Sequence, residues 1–191
     1  MIPAGYLYKH VSARPDWAGV RGRPQRALSM CPHVACDFAD YTDFWRHNGF
    51  WLFDRPQIME QIAAEHDIDL GGLTCCYYEE YEQQYDTSSG RWLRVEPDKN
   101  LPTCVEKPAT STLQGYDVVT FSCGAGPECS PLFCNSIAEK VAVNDSCLFE
   151  TFDEAKRALE SGLFQNAEPG PYRIVAIYTV DRESSSASRS G

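Results

Sequence analysis

The sequence predicts an α+β fold: a single domain over residues 1–182, with a mostly antiparallel or mixed sheet of about five strands and about four helices packed on it. Three observations carry that expectation. A long alternating run, LTCCYYEEYEQQYD (73–86), is followed by a turn sequence and a second short run, which is the signature of a hairpin. Two further runs, DVVTFSC (117–123) and YRIVAIYTV (172–180), are apolar on both faces, as central strands are. Helix-start signals fall between these strands without the regular rhythm of βαβ units.

In chain order, GYLYKHV (5–11) reads as a short strand. A helix over 37–49 would place Phe38, Tyr41 and Trp45 in one stripe. The run 41–54 adds Phe44, Phe50, Trp51 and Phe53, which form core if buried and a binding patch if exposed. Asp54 with Gln57 three residues on, and Pro56 between them, predicts a capping-box start for a helix that turns Ile58, Ile62 and Ala63 inward.

The 73–86 strand places Leu73, Cys75, Tyr77, Tyr81 and Tyr85 on one face and mostly polar residues on the other. TSSG (87–90) turns it into RWLRVE (91–96). Residues 97–115 hold three prolines and no period, so they read as a surface loop or linker. Ser130 and Pro131 are a good cap and first-turn pair for a helix LFCNSIAEKV. Thr151 with Glu154 forms a second capping box, and Gly162 is its stop. The tail 183–191 lacks large apolar residues and is expected to be disordered. No internal repeat stands out.

A chain of 191 residues can bury a core without metals or disulfides, and 43% apolar with 23% charged residues is ordinary for a soluble protein. There is no apolar signal region and no run long enough to span a membrane, so a cytoplasmic protein with no membrane partner is expected. Nine cysteines, an odd number, then read as reduced thiols. The net charge of −10 and pI near 4.8 exclude nucleic acid as a favoured partner. Residues 1–30 carry Lys9, Arg14, Arg21, Arg23 and Arg26 against Asp16, a net of 5 − 1 = +4, which leaves −14 on the rest. Such a body suits a basic protein partner.

The segment SCGAGPECSPLFC (122–134) is the most site-like stretch. A glycine loop running into a helix start could hold an anion through Gly124, Gly126 and Ser130, and would lower the pKa of Cys129 just before the cap. It lacks the lysine of a P-loop and the arginine of a cysteine phosphatase, Glu128 opposes an anion, and no cofactor is implied. A Cys129 nucleophile would need one of His10, His33, His47 or His66. Cys31, His33 and Cys36 are soft ligands whose spacing matches no standard zinc site. Glu79 is the one charge on the aromatic face of its strand, so it must be paired or have a raised pKa, as a general acid or base does.

Three functions follow from these residues. The first is an acidic, protein-binding or inhibitor module of the immunity type, with a basic partner. The second is a small enzyme using Cys129 as nucleophile or Glu79 as acid–base. The third is a thiol redox sensor pairing Cys129 with Cys123 or Cys134.

Overall fold

A computed structural model describes residues 1–11, 26, 28–30, 48, 50, 52–95, 104–121 and 129–181. Five strands form one antiparallel sheet: β1 (Ile2–His10), β2 (Leu73–Asp86), β3 (Arg91–Arg94), β4 (Ser111–Thr120) and β5 (Tyr172–Val180). Their order is β1-β2-β5-β4, and β3 pairs with the far end of β2. The described helices are α1 (Pro56–Glu65), α2 (Pro131–Cys134) and α3 (Phe152–Glu160), with a 3-10 turn at Ile137–Glu139. An α+β architecture with three described helices thus replaces the expected four; the helix expected over 37–49 lies outside the described residues apart from Asn48.

Several elements differ from their sequence reading for identifiable reasons. β2 is buried on both faces from Cys75 to Glu80 because it lies between β1 and β5; the one-sided pattern holds only beyond Tyr81. β1 begins at Ile2, before the expected strand start at residue 5. β4 begins at Ser111, inside the segment read as loop, because a bulge at Gly115 breaks its alternation. The expected helix LFCNSIAEKV is a single turn, since Ser136 adopts a left-handed φ of 56° and stops it. α3 has the capping box of Thr151 and Glu154, and Gly162 takes the left-handed φ of +78° that a helix stop requires.

The chain also contains an internal repeat that the sequence reading missed. Each half runs strand, asparagine loop, helix, strand. Gly5 and Gly115 have φ of +141° and +140° at matching bulges in β1 and β4. The residue after each glycine bridges to a phenylalanine, Tyr6 to Phe53 and Tyr116 to Phe149. Asn48 and Asn144 precede those phenylalanines in the same pattern, N-x3-L-F followed by Asp or Glu, and α1 and α3 begin three residues after each phenylalanine. The two halves meet at the β2–β5 pair and share one sheet. Buried apolar residues of β1, α1 and β2, joined by Val119, Val175 and Ile177 from β4 and β5, form one core cluster, and residues of α3, β4 and β5 with Tyr85 form the other.

Candidate binding cleft

Three tyrosines stand in register across the sheet: Tyr6 on β1 opposite Tyr77 on β2, and Tyr77 opposite Tyr178 on β5. Their rings lie 5.1 and 5.6 Å apart in tilted pairs, the geometry that aromatic quadrupoles favour. Two residues along β2, on the same face, is Glu79, 7% exposed. Its carboxylate accepts hydrogen bonds from the Tyr77 hydroxyl (3.2 Å), the Tyr178 hydroxyl (2.9 Å) and the Lys107 ammonium (2.9 Å). Lys107 also lies 5.4 Å from the Tyr178 ring centre.

These bonds settle the electrostatics of Glu79. Burial pushes its pKa up, but the bonds from Lys107 and Tyr178, the Lys107 charge and the Tyr77 bond together hold it below the ordinary carboxylate range. Of the two outcomes open to a buried glutamate, the pairing is realised. The phenols respond in the opposite sense. Burial and the adjacent Glu79 carboxylate raise both Tyr77 and Tyr178 well above the usual phenol value.

Residues 104–110 form a strap over the edge of this face. It is fastened at three points: the Lys107 pair with Glu79, a hydrogen bond from the Tyr6 hydroxyl to the Glu106 carbonyl, and one from the Cys104 amide to Asp54 (3.4 Å). Asp54 is drawn away from the capping role expected of it. It accepts from Cys104 and from Asn48 Nδ2 (2.9 Å), while Arg55 stands at the start of α1 with no side-chain cap bond. The helix turns Met59, Ile62 and Ala63 inward, and Ile58 packs half-buried against the same core.

Between the strap, α1 and β1 lies a cleft of about 1000 Å³. Tyr6 and Tyr8 line it from β1, and the Tyr8 hydroxyl donates to Glu60 on α1 (2.9 Å). Among the described residues, Asp54, Glu60, Glu106 and Asp181 place four carboxylates on its wall, against the two cations of Arg55 and Lys107. Cys75 and Cys104 also line it, one buried and one exposed.

A second polar group lies on the opposite face of the sheet. Glu80 is paired with Arg173 (3.0 Å), and both are buried. The Arg173 guanidinium also stacks 4.0 Å from the Phe121 ring centre. Among the described residues, Glu80 Oε1 and Arg173 Nε find no hydrogen-bond partner. Burial pushes Glu80 up to about 7, against the pull of Arg173. Asp117, in the same row of the sheet, is also fully buried and is pushed up to about 6. It accepts from the hydroxyls of Ser130 (2.6 Å) and Ser29 (2.9 Å) and from the amides of Val118 and Met30.

The residues singled out from the sequence thus separate in space. Glu79 lies beneath the strap. Ser130 is buried with its hydroxyl turned to Asp117, so it faces a carboxylate belonging to the chain, and α2 behind it has only four residues. Cys129 is half-buried and its carbonyl accepts from the Thr120 amide (2.9 Å). Gly124, Gly126, Cys123 and Glu128 lie outside the described residues, as do Cys31, His33 and Cys36, His47, and the tail 183–191. Among the described residues no helix is long and apolar enough to cross a membrane. The cleft itself went unread in the sequence, because its walls come from β1, α1, the strap and the end of β5. No protein-family model, curated protein or solved structure matches this chain.

Proposed function

We propose that the protein is a binding module that holds a basic segment of a partner protein in the cleft beside α1, as an inhibitor or immunity-type protein would. The observation that carries this reading is the cleft wall, where, among the described residues, four carboxylates outnumber two cations. Lysine and arginine side chains match such a wall through charge-assisted hydrogen bonds and ion pairs. The net charge of −10 would draw such a partner in from solution at low ionic strength.

A proton-transfer role has weaker support. Glu79 is held ionised by three donors, so it has no proton to give near neutral pH, and its depressed pKa makes it a poor base.

The test is to pan a random peptide-display library on the full chain at low salt. Enrichment of lysine- and arginine-bearing peptides that are lost on a Glu60→Gln, Asp181→Asn double variant supports the reading. Enriched peptides without basic residues, or peptides indifferent to the double variant, would overturn it.

A further inference from the structure

Glu79 is a buried carboxylate that the chain fills with an ammonium of its own. The phenols of Tyr77 and Tyr178 donate to it, one to each oxygen, at 3.2 Å on Oε1 and 2.9 Å on Oε2. Lys107 supplies the third donor, to Oε1 at 2.9 Å, and its ammonium lies 5.4 Å from the centre of the Tyr178 ring. A carboxylate held by two hydroxyls beside an aromatic ring receives an ammonium group in two ways at once, by charge-assisted hydrogen bonding and by cation–π attraction.

The two sides of this pair are unequally held. Glu79 sits in the middle of β2, with Pro3 of β1 and Ala176 of β5 in register on either side. Lys107 comes from the strap, which belongs to no strand or helix, and its side chain is 57% exposed. An ion pair with one member largely in water is worth little, so an ammonium from outside competes with it on nearly even terms. Val105, two residues earlier, packs half-buried against the core and gives the strap an anchor that does not depend on Lys107. Were the Lys107 stem to swing out, Glu79 would keep both phenol donors, so the exchange leaves no bare buried charge.

Lys107 also lines the acidic cleft, so one side chain both bounds the cleft and covers Glu79. The other two fastenings of the strap use groups of the cleft wall as well, the Tyr6 hydroxyl and the Asp54 carboxylate. A basic segment in the cleft therefore meets the very groups that hold the strap. We infer that Glu79, Tyr77 and Tyr178 form a lysine-binding subsite behind the cleft wall, and that Lys107 is an internal competitor which a lysine of the partner segment displaces. The inference rests on the binding reading above and adds where one lysine of the partner goes and what it must replace.

The blocked peptide Ac-Lys-Lys-Lys-NH2, titrated calorimetrically into the full chain and its variants, provides the test. Lys107→Ala removes the competitor and should tighten binding at least about tenfold over wild type, as when a binding-competent state rises from about one-tenth of the population to all of it. Arg55→Ala removes the same charge from the same cleft without uncovering Glu79, and should tighten binding by no more than about threefold. Adding Glu79→Gln to Lys107→Ala should abolish most of the tenfold gain. Lys107→Met, which keeps the stem without the ammonium, serves if the alanine variant does not fold. Binding to Lys107→Ala no tighter than to Arg55→Ala would overturn the competitor and leave the basic-segment reading standing. Binding weaker than wild type would make Lys107 part of the receiving surface and overturn it too. A gain that survives Glu79→Gln would place the subsite elsewhere and so overturn the inference. Binding to none of these proteins would overturn the inference and the basic-segment reading together.

Discussion

Asn48 and Asn144, 96 positions apart, make the same set of bonds in the two halves of the molecule. Each Nδ2 donates at 2.7 Å to the carbonyl just before a bulge glycine, that of Ala4 or Gln114. Each Oδ1 accepts from the amide two residues on, that of Phe50 or Ser146. Each backbone N–H closes the loop onto a leucine carbonyl, that of Leu52 or Leu148. The asparagine therefore ties the loop that launches each helix to the bulge of each outer strand.

Removing either side chain leaves buried carbonyl and amide groups without partners. Asn48→Ala and Asn144→Ala should each destabilise the fold by about 2–4 kcal/mol, as read by denaturant unfolding. The glycines opposite are equally constrained. A Cβ on Gly5 would lie 2.7 Å from the Phe53 carbonyl oxygen, and one on Gly115 would lie 2.7 Å from that of Phe149. Both also need a positive φ, so Gly5→Ala and Gly115→Ala should cost at least about 2 kcal/mol.

Glu79 controls the ionisation of its neighbours. In wild type, burial and then the Glu79 carboxylate raise Tyr77 and Tyr178. In Glu79→Gln the carboxylate contribution disappears and the burial contribution stays. An ultraviolet titration should show two tyrosines ionising at lower pH than in wild type, with the rest unmoved.

Stability should depend on pH through the opposite face of the sheet. Glu80 and Asp117 bind protons more tightly folded than unfolded, with folded values of about 7 and about 6. Their contribution is therefore fully present below the ordinary carboxylate range and is lost as pH rises through about 6 to 7. Glu79, held low, acts in the other sense and loses its contribution only in acid. The melting temperature should fall by several degrees between pH 5 and pH 8, and Asp117→Asn should flatten that fall.

Trp92 tests the packing of β3 against α3. Trp92→Ala removes a ring that packs on Tyr81 and Tyr85 and leaves Glu160 without its indole donor. A loss of about 2–3 kcal/mol in unfolding free energy is expected, below the full cost of a core tryptophan because the ring is only half-buried.

What the sequence made legible was local. β2, β5, the hairpin turn at 87–90 and the capping box of α3 each follow from a few neighbouring residues. Glu79 was legible as the odd charge on an aromatic face, although its partner Lys107 lies in the stretch without periodicity. The repeat escaped because its markers are unequally spaced: Gly5 precedes Asn48 by 43 residues, whereas Gly115 precedes Asn144 by 29. Asp54 carried a cap signature that the tertiary structure uses for a different bond. The cleft escaped because its walls come from segments far apart in the chain, β1, α1, the strap and the end of β5.

The most direct measurement is an amide chemical-shift map of the isotopically labelled full chain on addition of the basic peptide Ac-Lys-Lys-Lys-NH2. The cleft account predicts shifts concentrated at Tyr6, Tyr8, Leu70, Cys75, Lys107 and Val180, with Trp92 and α3 unmoved. Shifts centred on α3 or on the Glu80–Arg173 face, with the cleft unmoved, would contradict it.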